Sequence, residues 1–256
     1  MFRTIKKLWR QYFAPDVKKS STATSHAVST VRLGSEYGGW HIPADLCLSS
    51  TDVCFLAGAG EDLSFDCALA MRFPCPIHIF DPTPRAVAHF EGLAAAVAAG
   101  GIFAPLSGTG GEPYNISAEA FSRMTFHPWG LAAQDKEMRF YAPTNPEHVS
   151  HSILNLQKTT EFFIAPVKRV PSILKELGYT QITLMKLDIE GAEYQVIEDM
   201  IAMKMLPKIM LVEFDEIHNP LDSGAHDRVA RYMEMLKYAG MRHVFTDVAN
   251  MTFIQH

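Results

Sequence analysis

Short apolar runs alternate with longer patterns of helical spacing from residue 52 to the end of the chain. The apolar runs predict strands at residues 53–57, 77–80, 124–131, 138–141, 182–187 and 209–214. The stretches between them predict helices at residues 63–73, 85–99, 172–177, 192–205 and 226–239. Strands that alternate with helices are typical of an α/β fold with a mostly parallel sheet.

The last two predicted strands, residues 242–246 and 251–255, are separated by only four residues. A connection this short joins antiparallel neighbours, because a parallel pair requires a crossover of a dozen residues or more. We therefore predict a C-terminal antiparallel hairpin on the edge of an otherwise parallel sheet.

The first 30 residues differ in character from the rest. Residues 2–13 place apolar side chains at helical spacing with basic residues between them, which predicts an amphipathic basic helix, and a polar linker follows. We divide the chain into this N-terminal helix and linker (1–30) and one domain (31–256). The helix could contact a membrane surface through residues 1–14 or pack on protein, including a second copy of the chain, and both readings stay open.

Composition narrows the class of protein. A net charge of −5 gives no general attraction to nucleic acid. The four cysteines have no C-x-x-C spacing, which disfavours a structural zinc site. No secretory segment and no run of about 18 apolar residues occurs, so we expect a cytoplasmic protein, with peripheral contact to the inner membrane face if the N-terminal helix binds lipid.

Two carboxylates, Asp188 and Glu190, directly follow the strand predicted at residues 182–187. Open α/β sheets bind ligands at the carboxyl ends of their strands. An apolar strand that runs straight into these acids fits a functional site better than a solvated turn. Glu213 ends the next predicted strand and is a candidate at the same edge.

The turn Gly58-Ala59-Gly60 has the form of a nucleoside-binding loop. It follows the first core strand, and Asp81 ends the next strand, 21 positions after Gly60. In Rossmann-like folds such glycines let the backbone approach the ligand, and such an acid accepts hydrogen bonds from ribose hydroxyls.

The residues after this turn favour S-adenosylmethionine over a dinucleotide. A dinucleotide fingerprint has glycine where this chain has Leu63. Glu61 and Asp62 stand where a pyrophosphate would bind the helix N-terminus, and their charges would repel it. S-adenosylmethionine carries an ammonium group and no phosphate, so acids there are tolerable.

Four segments occur in order: residues 58–66 (GAGEDLSFD), 80–84 (FDPTP), 148–153 (HVSHSI) and 184–194 (LMKLDIEGAEY). Together they resemble the FkbM family of S-adenosylmethionine-dependent methyltransferases, over roughly residues 35–256. The resemblance implies a class I methyltransferase fold, Rossmann-like, with a seven-stranded and mostly parallel sheet. It also implies O-methylation, often of a sugar hydroxyl in a glycan, a glycolipid precursor or a natural product.

The resemblance implies roles for particular residues as well. Residues Gly58, Ala59, Gly60 and Glu61 would line the methionine end of the cofactor, Asp81 would bind the ribose, Gly130 and Leu131 would lie by the adenine, and Asp188 and Glu190 would lie near the sulfonium.

Methylation of an alkyl hydroxyl benefits from a general base, worth roughly 10²–10⁴-fold in rate. The candidates are Asp188, Glu190, Glu213 and His151. A Mg²⁺ ion held by acids at the strand ends is a weaker alternative, and we assign no metal ligands.

We therefore expect an S-adenosylmethionine-dependent O-methyltransferase whose partner is a small-molecule or glycan acceptor. Two alternatives stay open: a NAD-dependent oxidoreductase, and a non-catalytic interaction module with the same Rossmann-like fold.

Overall fold

The computed structural model describes residues 28–106, 111–142 and 159–256. The predicted N-terminal helix, most of the linker and the loop that holds His148 and His151 lie outside the described residues.

The described part of the chain contains twelve strands and six α-helices. The strands are β1 (Thr30–Leu33), β2 (Trp40–Pro43), β3 (Cys54–Ala57), β4 (Ile77–Phe80), β5 (Met124–His127), β6 (Gly130–Leu131), β7 (Lys136–Tyr141), β8 (Phe162–Lys168), β9 (Leu184–Leu187), β10 (Ile209–Glu213), β11 (Met241–Asp247) and β12 (Asn250–Gln255). The helices are α1 (Ser64–Arg72), α2 (Pro84–Ala99), α3 (Ala118–Phe121), α4 (Val170–Leu177), α5 (Glu193–Ala202) and α6 (Ala225–Tyr238), with a 3₁₀ turn at Asp215–Ile217.

The main sheet has seven strands in the order β11-β12-β10-β9-β3-β4-β5. Five neighbouring strands of this sheet pair in parallel, in the order β10, β9, β3, β4 and β5. The strand β12 is antiparallel to both β10 and β11. The predicted fold class is thereby confirmed: an α/β, Rossmann-like fold of the class I methyltransferase kind with a C-terminal antiparallel hairpin. The last strand, β12, is inserted between β10 and β11 rather than added at the edge.

The prediction of one strand over residues 124–131 was wrong. The chain forms β5 in the main sheet, turns at Pro128 and Trp129, and continues as β6 in a separate sheet of order β6-β8-β7. Pro128 has no backbone N–H and cannot extend the ladder, so the strand ends before it. The strand predicted at residues 138–141 also lies in this small sheet, as part of β7.

Helices cover both faces of the main sheet. On one face, Phe55 and Leu187 pack in a core with residues of α4, α5 and α6. On the other face, Leu56 and Leu184 pack with residues of α1 and α2. Alternate residues of each strand therefore face opposite layers, as expected for a sheet buried on both sides.

The strand register aligns the carboxyl ends of four strands. Ala57 of β3 lies beside Phe80 of β4 and Leu187 of β9, and Leu187 lies beside Val212 of β10. The residue that follows each of these strand positions is therefore brought to one edge of the sheet.

Two histidines form a buried pair within the core. His78 Nδ1 and His127 Nε2 are 2.9 Å apart, and His78 Nε2 lies 3.1 Å from the Tyr179 hydroxyl. Burial, followed by the charge of His127, lowers the pKa of His78 to about 4. His78 is therefore neutral at pH 7, and burial lowers the pKa of His127 as well.

Acidification is expected to weaken the stabilising contribution of His78. The unfolded chain binds a proton at His78 near pH 6.5 and the folded chain near pH 4, so the contribution is complete above pH 6.5 and declines as the pH falls to 4. The loss is roughly 2–3 kcal/mol. Urea unfolding of the wild type and His78→Gln at pH 7.5, 6 and 4.5 measures it. The difference between the two curves cancels the titration of other groups, and a pH-independent difference would contradict the pairing.

Candidate functional site

A cleft lies at the aligned carboxyl ends of the strands. Its wall consists of residues 58–61, 80–83 and 188–190, with Tyr37, Gly130, Leu131, Phe140 and Ala192. All eight residues predicted to contact a cofactor are in this wall: Gly58, Ala59, Gly60, Glu61, Asp81, Gly130, Leu131 and Asp188. The structure brings them together, and their contact with a cofactor stays a prediction.

Gly58 is required by the close approach of two strand ends. Its φ is +84°, in the left-handed region that favours glycine. A Cβ atom at this position would overlap the backbone carbonyl oxygen of Asp188. The floor of the cleft can therefore close only with glycine here.

Asp81 supports the glycine turn from below. Its Oδ2 atom accepts hydrogen bonds from the backbone N–H groups of Ala59 and Gly60, both at 2.9 Å. Its Oδ1 atom accepts from the Thr83 backbone N–H at 2.8 Å and the Thr83 hydroxyl at 2.6 Å. A carboxylate has about four acceptor positions, and all are used within the protein. The carboxylate thus fixes the glycine turn, and its contact with a ribose stays a prediction.

Glu61 also lines the cleft, with its charge already balanced. Its two carboxylate oxygens accept hydrogen bonds from Arg85 Nε at 3.0 Å and Nη2 at 2.6 Å. This bidentate ion pair joins the glycine turn to α2. This pairing reduces the repulsion that Glu61 would exert on an anionic ligand.

Gly130 and Leu131 reach the cleft because the small sheet forms one of its walls. A Cβ atom on Gly130 would lie 2.9 Å from Phe140 Cζ and 3.2 Å from Val167 Cγ1. The glycine thus allows β7 and β8 to pack closely beside the cleft.

Four carboxylates gather on the β9–β10 side of the cleft. Asp188 interacts with Glu213, and Glu190 interacts with Asp215. Burial, followed by the negative charge of Asp188, raises the pKa of Glu213 well above its ordinary value. Burial and a neighbouring carboxylate both favour the protonated form of Glu213, whereas His218 Nε2, 3.5 Å from Glu213 Oε1, is placed to favour the ionised form when that ring is charged.

Glu190 has a strained backbone. Its φ is +53°, which is unusual for a residue other than glycine, and Gly191 follows at +95°. Such strain costs about 1–3 kcal/mol and concentrates at functional sites. Here it turns the chain sharply from β9 into α5 and keeps Glu190 in the cleft wall.

The donor set of the cleft fits a ligand that carries positive charge and needs close backbone contact. Asp188 and Glu190 supply negative charge in the wall, and the Gly58–Gly60 turn presents backbone with no side chain at two of its three positions. Both features fit the sulfonium and amino-acid parts of S-adenosylmethionine.

A sequence model described as the methyltransferase FkbM domain matches residues 113–242, half of the chain. The chain belongs to the FkbM methyltransferase family. The matched range contains Asp188, Glu190 and Glu213, whereas the glycine turn and Asp81 precede it.

Comparison with solved structures finds an rRNA methylase from Streptococcus thermophilus. It is 8% identical, the match covers 81% of this chain and 89% of that chain, and the TM-score is 0.39. No curated protein matches this methyltransferase. Within the described ranges, no helix is both long and apolar enough to cross a membrane.

The predicted catalytic residues of the methyltransferase differ in where the structure places them. Asp188 and Glu190 line the cleft, and Glu213 is joined to it through Asp188. His151 lies outside the described residues. Among residues 28–106, 111–142 and 159–256, no group of three or more metal-binding side chains is arranged to hold an ion.

Two buried polar residues beside the site were missed from the sequence. Lys186 Nζ lies 3.1 Å from Asp188 Oδ2 and donates to the Gly58 carbonyl oxygen. Glu193 is fully buried, and its Oε1 accepts from the Gly191 backbone N–H at 3.1 Å. The signal for Lys186 was a lone lysine inside an apolar strand pattern, which is easily taken for an exposed position.

Proposed function

We propose that this methyltransferase uses S-adenosylmethionine to methylate a hydroxyl oxygen, most simply on a sugar of a glycan, a glycolipid precursor or a natural product. The observation that carries the proposal is the position of Asp188 at the end of β9, in the cleft wall beside the glycine turn, with Lys186 Nζ 3.1 Å from its Oδ2. The acids in the cleft wall would repel the pyrophosphate of a dinucleotide, which argues against an oxidoreductase.

S-adenosylmethionine supplies an electrophilic methyl group when it is bound. The Gly58–Gly60 backbone would hold its amino-acid part, and Gly130 and Leu131 would contact its base. Asp188 would accept the proton of the acceptor hydroxyl, because its carboxylate lines the cleft and contact with Lys186 fixes its position. The protein's main contribution is to hold the hydroxyl in line, which can supply about 7–11 kcal/mol of the barrier.

The charges around the cleft favour a neutral acceptor. Asp188 and Glu190 line the cleft, and two cations beside them among the described residues, Lys186 and Arg85, are paired with acids. A phosphate-bearing acceptor would therefore meet repulsion from these carboxylates. This supports a neutral sugar or natural product as the hydroxyl donor.

Calorimetric titration is the direct test of the cofactor. We expect S-adenosylmethionine and S-adenosylhomocysteine to bind with micromolar dissociation constants, and NADH to produce no heat of binding. Added Mg²⁺ should leave both affinities unchanged. Binding of NADH without S-adenosylhomocysteine would contradict the proposal and favour an oxidoreductase. Binding of the cofactor without methyl transfer to any acceptor in a labelled cell extract would favour the non-catalytic alternative.

A further inference from the structure

A second groove lies beside the cofactor cleft, and we call it the side groove. It runs between the β1–β2 turn, the side of α1 that carries Ala68 and Met71, and residues 111–115. Its volume of 650 Å³ falls within the range of about 300–1,000 Å³ for ligand pockets. Tyr37 lines both the side groove and the cleft, so the two spaces meet at this residue.

The first rim of the side groove is the β1–β2 turn, which is fixed on the beginning of α1. The Ser35 hydroxyl donates to Asp62 Oδ2 at 2.6 Å, and the Ser35 backbone N–H donates to the Ser64 hydroxyl at 2.7 Å. A Cβ atom on Gly38 would lie 2.7 Å from Asp62 Cγ, so glycine lets the turn rest directly on Asp62. Tyr37 is thereby held at the mouth of the cleft.

The second rim is attached at the same place. The Tyr114 hydroxyl accepts a hydrogen bond from the Leu63 backbone N–H at 2.9 Å and lies 2.7 Å from His89 Nε2. The Tyr114 backbone N–H donates to the Phe103 carbonyl oxygen at 2.8 Å. Both rims are therefore bonded to residues 62–64, which directly follow the glycine turn and Glu61. The side groove is a preformed site with a fixed position relative to the cofactor cleft.

The wall of the side groove is suited to a ligand with many hydroxyl groups. Glu36, Glu112 and Asn115 are exposed in this wall and offer oxygen atoms that accept hydrogen bonds. Tyr37 is 61% exposed and offers an aromatic face to the apolar face of a sugar ring. In the described part of the wall, acids outnumber Arg72, its basic residue, so an anionic ligand would meet repulsion.

We propose that the side groove binds the methyl acceptor as a neutral glycan, with its terminal sugar on Tyr37 and the reacting hydroxyl directed into the cleft toward Asp188. The inference rests on the proposed function, because it assigns a place to the acceptor of that reaction. The cofactor would occupy the cleft, so the acceptor has to bind beside it, and Tyr37 and Asp188 line the same cleft. The glycan thus reaches the transfer point along a wall that is rigidly joined to the glycine turn.

The variant Ala68→Trp tests the side groove by filling it. Ala68 is half-buried on α1 and lines the side groove but not the cleft. We expect transfer of labelled methyl groups from S-adenosylmethionine into a cell extract to fall by roughly 10²-fold, because the acceptor is displaced from the transfer point. Affinity for S-adenosylhomocysteine, measured by calorimetry, should be unchanged. Ala95→Trp places the same side chain on an exposed position of α2 and should change neither quantity.

The double variant Glu112→Gln/Asn115→Ala changes exposed side chains only, and it decides the question if Ala68→Trp fails to fold. Loss of hydrogen bonds to the acceptor should lower transfer about tenfold at limiting extract, with recovery at higher extract concentration. Wild-type transfer in this variant and in a folded Ala68→Trp would overturn the inference and leave the proposed function intact. A labelled product that binds an anion-exchange resin would overturn the assignment to a neutral glycan. A wild-type chain that binds no S-adenosylhomocysteine, or transfers no methyl group, would overturn both.

Discussion

Gly58→Ala is expected to abolish cofactor binding and to lower Tm on the order of 10 °C. Two effects add at this position. The backbone has φ +84°, which costs an alanine about 1–3 kcal/mol. The new Cβ also overlaps the carbonyl oxygen of Asp188, so β3 and β9 must separate where the cleft begins. The overlap is with backbone, and no side-chain rotation relieves it.

Gly178→Ala is the matched control for this prediction. Gly178 ends α4 with φ +77°, and no atom lies within 4 Å of its would-be Cβ. The control therefore carries the same backbone strain without the overlap, and Tm should fall by only a few degrees with affinity for S-adenosylhomocysteine unchanged. Thermal unfolding and calorimetry on both variants measure these quantities. Equal Tm losses in the two variants would show that the strand contact at Gly58 has been overestimated.

The fold could be predicted from the sequence because the spacing of apolar residues and the positions of the glycines and acids indicated the same architecture. Apolar runs marked the strands of the main sheet, and the short gap before the last strand identified the hairpin. Parallel strands bring their carboxyl ends together, so Gly58, Asp81 and Asp188 could be assigned to one cleft although they are far apart in the chain.

The sequence could not show how the acids of the cleft are paired. Asp81 is a strand-end acid by position, but only the structure shows that Thr83 and the glycine turn use all its acceptor positions. Likewise, the raised pKa of Glu213 beside Asp188 depends on the lateral distance between β9 and β10. Hydrophobic periodicity predicts which face of the sheet a residue lies on and which edge it is near. It does not predict which group pairs with a charged side chain.

Tertiary context also explains why β8 of the small sheet was not predicted from the sequence. β8 contains Pro166, and a proline argues against a strand that is paired on both sides. The proline is tolerated because β8 pairs on one side with only the two residues of β6. Tertiary context therefore overrode the local signal.

Asp188→Asn should reduce methyl transfer by roughly 10²–10⁴-fold, the range for loss of a general base. The asparagine keeps the shape of the side chain but cannot accept the proton. Affinity for S-adenosylhomocysteine should fall by less than tenfold, so the loss appears mainly in turnover. Incorporation of labelled methyl groups from S-adenosylmethionine into a cell extract measures transfer before the acceptor is identified.

Glu213→Gln separates the two acids. Burial and the charge of Asp188 raise the pKa of Glu213, and glutamine has the size of the protonated acid and an amide N–H that can donate to Asp188, so we expect Glu213→Gln to retain transfer within about tenfold of the wild type. If instead Glu213→Gln is as inactive as Asp188→Asn, with S-adenosylhomocysteine binding intact, Glu213 is the base and the proton lies on Asp188. The contact between the Lys186 ammonium and Asp188 Oδ2, at 3.1 Å, and the raised pKa of Glu213 both argue against that outcome.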